Sequence, residues 1–160
     1  MAEIYPAITI WQPWASLIAA GAKPFEFRSW PAPRSLIGRR VAIHAGARQM
    51  RLPETQELWA RCRLNLPDFG LHNKLACDVL MRMLERPSLV PHGAVLCLAT
   101  LGQPLRNAEL AAALGEQWVN DSDRQEHSNW GWPLTDIDLL EPYIPARGAQ
   151  GWWRWTRSDA

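Results

Sequence analysis

Short apolar runs alternate with helical patterns along this chain. Residues 7–10 are apolar and end at Trp11, which predicts a first strand. Pro13, WASLIAA and Gly21 follow; a proline near the start and a glycine just past the end define a short helix. In PFEFRSW (24–30), Phe25 and Phe27 point one way and Glu26, Arg28 and Trp30 the other, the period of a strand. Pro31 and Pro33 break it. Residues 39–45 resume as a strand, with Val41 and Ile43 on one face and Ala42 and His44 on the other.

Residues 53–66 and 72–86 read as two helices around the turn LPDFG, the second carrying Leu75, Val79, Met83 and Leu84 at helical spacing. This pair, about 50–90, is expected to be an insertion packed on the sheet. GAVLCLATLG (93–102) is almost wholly apolar between glycines and predicts a central buried strand. A short helix at about 107–114, a polar loop at 119–131 and strands at 132–140 and 152–156 complete the chain, with the turn-rich EPYIPARGAQG between the last two. Trp153 and Trp155 fall on one face of the final strand and Trp152 on the other, mostly as core and barrel-closing residues. The expectation is an α+β fold: a small β-barrel of five to six strands with peripheral helices and a helical insertion. No repeat or Ser/Gly-rich linker divides residues 1–160, so one domain is expected.

With 48% hydrophobic and 21% charged residues, the composition excludes a disordered or fibrous chain. No apolar run approaches the roughly 18 residues of a membrane helix, and the N-terminus lacks a signal-peptide pattern. Cys62, Cys77 and Cys97 have no paired spacing, which fits a reducing, cytoplasmic compartment and gives no zinc site. Ten tryptophans, and 15 arginines against two lysines, change the picture more. Residues 1–63 carry nine basic and four acidic side chains (net +5); residues 64–160 carry eight and twelve (net −4). A basic half rich in Arg and Trp attracts phosphate and stacks bases; Trp as core filler is the alternative.

The chemistry concentrates in Gly21, Lys23, Glu26 and Arg28, a G-x-K-x-x-E-x-R pattern. Gly21 lets the chain turn sharply, and Lys23 leaves that turn. Glu26 and Arg28 project from one face, beside Trp11, Trp14 and Trp30 in sequence. A lysine beside a carboxylate can orient substrate or move a proton, and Arg28 can bind phosphate through two parallel hydrogen bonds. On spacing alone, a solvated strand face is the alternative. His44 is either a cleft acid or base or a histidine that holds a backbone carbonyl in place. His127, Ser128, Asn129, Trp130 and Trp132 form a polar-aromatic stretch suited to reading and stacking a base; a surface loop anchored by one tryptophan is the alternative. Arg39, Arg40, Arg48 and Arg51 are phosphate-tracking candidates or ordinary solvated arginines. His72 and His92 show no metal-ligand spacing. Walker A, GxGxxG and GxSxG motifs are absent, so a dinucleotide cofactor is not expected.

The G-x-K-x-x-E-x-R pattern resembles the hallmark of the ASCH domain, a branch of the PUA-like superfamily. IWQPWASLIAAG before it, the strand ending IHA, GAVLCLATL and the C-terminal W-P-L…P-I-P…G-x-Q-G-x-W run resemble one ASCH subgroup, so the likeness spans residues 7–47 and 93–156. The resemblance implies a cleft between barrel and helices that takes up RNA or a modified nucleobase. It makes Lys23 the expected catalytic or substrate-binding lysine, with Glu26 and His44 as partners. Arg28, Trp30, Arg39, Arg40, Ser128, Asn129 and Trp132 become the expected nucleic-acid contacts.

Some ASCH proteins deacetylate N4-acetylcytidine, some have been linked to RNA cleavage, and others are binding modules of transcription coactivator complexes. The expected function is therefore an RNA- or nucleobase-binding protein that hydrolyses single-stranded RNA. The alternatives are a non-catalytic binding module and an amidohydrolase of a modified cytidine nucleoside. The amidohydrolase members place a threonine where this chain has Glu26, so that activity would need another nucleophile such as Ser128 or Thr135. No resident cofactor is evident, although a divalent cation would assist phosphodiester cleavage. No membrane partner is expected.

Overall fold

A computed structural model describes residues 1–66, 70–114 and 130–158. Among these residues seven strands form one sheet: β1 (Glu3–Ile10), β2 (Phe25–Arg28), β3 (Arg40–Ala45), β4 (Ala94–Leu101), β5 (Leu105–Arg106), β6 (Trp130–Pro145) and β7 (Trp152–Arg157). The hydrogen-bonded order is β2-β6-β4-β3-β1-β7, with β5 also on β6. Among the described residues only the β1–β3 pair is parallel; the other pairs are antiparallel. The described residues form seven strands where five to six were expected, and among them no backbone ladder joins β7 to β2, so they do not close the sheet into a barrel. Side chains span that seam instead: Trp132 of β6 stacks on Trp152 of β7, and Arg28 of β2 reaches the Thr9 carbonyl of β1.

The two faces of the sheet are both apolar, as strand alternation requires. The inner face carries Ile8, Ile10, Val41, Ile43, Leu96 and Trp132, and the outer face Ala7, Ala42, Val95, Leu98 and Trp155. Helix α1 (Trp14–Ala19) lies on the inner face. Ala15, Ile18 and Ala19 pack on the sheet, whereas Leu17 packs on a second helical layer. That layer is α2 (Leu52–Arg63) and α3 (Asn73–Glu85), built around Leu58, Ala76, Val79, Leu80 and Met83. The short helix α1 is therefore the plate between sheet and helical pair, and its C-terminus delivers the polar cluster described below. Helix α4 (Asn107–Leu114) buries Leu110 against Gly131, where any Cβ would stand 2.6 Å from the leucine. Among the described residues no helix is long and apolar enough to cross a membrane.

Candidate functional site

Gly21 takes φ +76 at the end of α1, a conformation glycine adopts without strain, and the amides of Ala22 and Lys23 both fold back onto the Leu17 carbonyl. This turn drives the Lys23 side chain inward, where it is 0% exposed. Its ammonium donates to the Phe25 carbonyl at 2.6 Å and lies 3.3 Å from Glu26 Oε2, with the Phe27 ring 4.8 Å away. Glu26 is buried as well, and its other oxygen accepts from Arg28 Nε at 2.9 Å. One carboxylate thus holds a buried ammonium on one oxygen and a guanidinium on the other, so each buried charge has a partner.

Arg28 is the member of the cluster that reaches solvent, with 23% of its side chain exposed. Nη2 donates to the Thr9 carbonyl at 3.4 Å, just beyond the last β1–β7 pair, Ile8 with Trp152. With Nε on Glu26 and Nη2 on Thr9, the guanidinium plane is fixed. Nη1 has no hydrogen-bond partner among the described residues. The Trp30 ring, 42% exposed, lies 5.6 Å from Arg28 Cζ. A preoriented guanidinium beside an open indole can bind an anion and stack a planar ring.

The Trp132 indole, expected to stack a base, is 1% exposed and offers no open face in this structure. It stacks on Trp152 (5.7 Å, 16°), meets Trp30 edge-on at 5.9 Å, and donates its N–H to the Trp30 carbonyl at 3.0 Å. Its work is to hold Trp30 in place. Next to it, the Trp152 indole nitrogen is buried with no hydrogen-bond partner among the described residues. An unpaired buried donor costs about 1–3 kcal/mol.

His44 is not brought to the Lys23 cluster, because it lies on the outer face of the sheet while Glu26 shares the Trp132 face. Its Nε2 lies 2.8 Å from the Ala146 carbonyl, an acceptor only, so Nε2 carries the proton. Nδ1 then accepts from the Thr9 hydroxyl at 3.1 Å, which itself accepts from the Trp153 indole N–H at 3.2 Å. Burial pushes the His44 pKa below its ordinary value, opposed by the bond to Ala146. In this environment His44 ties the 146–148 segment to β1, and it touches neither Lys23 nor Glu26. Arg40 also faces outward, bonded to Thr100 and the Asp136 carbonyl, and thereby pins a bulge in β6; Arg39 is exposed. Ser128 and Asn129 lie outside the described residues, as does His127. Among the described residues no three His, Cys, Asp or Glu side chains converge to hold a metal.

One participant lies outside the G-x-K-x-x-E-x-R motif. Thr9 offers its carbonyl to Arg28 and its hydroxyl to His44. A lone hydroxyl in the apolar run AITI is its available signal.

The order of strands, the G-x-K-x-x-E-x-R cluster at the mouth of the sheet and its indole surround define a PUA-like α+β protein. Residues 8–118 match the ASCH domain family, well over half of the chain, and the chain belongs to that family, whose domains generally bind RNA. No curated protein matches the chain.

Proposed function

We propose that this protein binds single-stranded RNA, or a nucleobase carrying phosphate, at the mouth formed by Arg28 and Trp30. The observation that carries the proposal is the guanidinium clamped by Glu26 and the Thr9 carbonyl, with Nη1 unengaged among the described residues and the open face of Trp30 beside it. Phosphate takes the guanidinium, and a base stacks on the indole. A near-neutral net charge of +1 favours binding through this site over nonspecific adhesion to the backbone. Lys23 and Glu26 act as positioning residues for Arg28.

Non-catalytic binding is better supported than RNA hydrolysis, because the Lys23 ammonium is enclosed by protein and bonded to a carbonyl and a carboxylate. The test is fluorescence anisotropy of labelled single-stranded RNA with wild type, Arg28→Ala and Trp30→Ala. Losing a base stack weakens binding by roughly five- to 150-fold. Unchanged affinity in both variants refutes the site. Long incubation with RNA, with and without Mg²⁺ or Mn²⁺, separates the two activities: intact RNA supports binding alone, and product that disappears in Lys23→Ala supports hydrolysis.

A further inference from the structure

Strands β2, β6 and β5 place a second guanidinium on the face that carries Arg28. Arg28 of β2 and Arg106 of β5 both pair with Trp130 of β6, one from each side. Residues paired across antiparallel strands point to the same face, so Arg28, Trp130 and Arg106 form one row. The neighbouring row, Phe27, Gly131 and Leu105, faces the other way, where a Cβ on Gly131 would meet Leu110 of α4. Adjacent strands lie about 4.8 Å apart, so the Arg28 and Arg106 backbones stand about 10 Å apart with the indole between them. Arg106 is exposed, its Cζ lies 4.8 Å from the Trp130 ring, and Glu109 accepts from its amide at 2.7 Å. Its guanidinium has no hydrogen-bond or ion-pair partner among the described residues. With Trp30 beside Arg28, ring and cation alternate twice along this face.

We infer that Arg106 binds a second phosphate, that of the nucleotide next to the one held by Arg28, so that a single strand of at least two nucleotides crosses β2, β6 and β5. This rests on the binding site proposed above. A single strand carries one charge per nucleotide, and proteins that bind it line their grooves with cations and aromatic rings. The two guanidiniums are held by separate supports: Arg28 by Glu26 and the Thr9 carbonyl, Arg106 by the Trp130 ring. Trp130 is the positioning residue for Arg106. The spacing across three strands gives each cation its own phosphate.

Competition against labelled oligo(U), read by anisotropy, compares uridine 5′-monophosphate with the dinucleotide pUpU, which carries a second phosphate. Wild type should bind pUpU roughly tenfold more tightly, the low end for one charge-assisted hydrogen bond. Arg106→Gln should erase that preference and leave the mononucleotide within about twofold. It should also lower the slope of log K against log salt for oligo(U) by about 0.7, the share of one phosphate contact. A merely structural Arg106–Trp130 stack would move neither readout. Equal binding of both competitors by wild type, or a retained preference or unchanged slope in Arg106→Gln, overturns the inference. Equal weakening of both competitors in Arg106→Gln would put the two guanidiniums on one phosphate and also overturn it.

Arg28→Ala distinguishes the two claims. If it weakens both competitors while Arg106→Gln changes neither, the binding site stands and the Arg106 role falls. If Arg28→Ala changes neither and Arg106→Gln does, the Arg28 site falls, and with it a strand that spans both cations. Should Arg106→Gln fail to fold, the guanidinium ¹⁵Nε–H resonance of Arg106 in wild type gives the answer. A shift with pUpU and none with the mononucleotide supports the inference, and any other pattern overturns it.

Discussion

Replacing Glu26 by Gln probes the polar cluster without changing its shape. The carboxylate accepts from Lys23 on one oxygen and from Arg28 on the other. An amide offers one acceptor oxygen and turns an NH₂ group toward the second cation. Removing one partner of a buried ion pair costs about 3–5 kcal/mol. Lys23 keeps the Phe25 carbonyl, and Arg28 is partly exposed and keeps the Thr9 carbonyl, so the lower end applies, about 3 kcal/mol. For a chain of 160 residues that corresponds to a fall in Tm of roughly 6–12 °C. Urea unfolding and a thermal melt monitored by circular dichroism measure it. The same variant releases Arg28 Nε, so RNA affinity should drop in parallel. A Tm within 2 °C of wild type, together with unchanged RNA affinity, would refute the claim that this carboxylate organises the site.

Three further outcomes follow from the outer face and the core. His44 is held neutral with its pKa lowered by burial, so the unfolded chain binds its proton more readily. Stability from this group is complete above the ordinary histidine value of about 6.5 and declines as pH falls below it. His44→Asn should flatten that part of the Tm–pH curve, and an unchanged slope would contradict the assignment. At Gly148 an added Cβ would stand 2.6 Å from both His44 Cε1 and Thr9 Oγ1, so Gly148→Ala should cost about 1–3 kcal/mol in urea unfolding. Burial pushes the Cys97 thiol up to about 12, so Cys97 should resist a thiol reagent at pH 8 until the protein unfolds, as mass spectrometry of labelled peptides would reveal.

Much of this architecture could be read from pattern. Strands β3 and β4 fall within one residue of expectation, because Val41 and Ile43 alternate cleanly and residues 94–101 are a continuous apolar run between glycines. Helices α2 and α3 also lie where periodicity places them. The first half of β1 was missed: Glu3, Tyr5 and Pro6 carry no apolar signal, and the strand there is held by its ladder to β7. The two-residue β5 is too short to leave a pattern. β6 runs on to Pro145, past the expected end at residue 140, because bulges absorb Asp136 (φ +50) and the residues around Pro142. Period-two alternation records faces and says nothing about whether end strands meet, so the open seam was invisible.

The site shows the same division. Alternation correctly put Glu26 and Arg28 on one face, and their mutual bond follows from that. It also put His44 opposite Val41. However, alternation within one strand does not relate its faces to those of another, and it is the assembled sheet, with His44 on the outer face and Glu26 on the Trp132 face, that separates His44 from Lys23. Sequence likewise reads Lys23 as a charge and cannot see that the turn at Gly21 buries it.

A structure of the protein with a short oligouridylate tests the central claim most directly. The account places a base against the open face of Trp30 and a phosphate on Arg28 Nη1, with the Glu26–Arg28 bond intact. A nucleotide bound elsewhere, with Trp30 and Arg28 untouched, would contradict it.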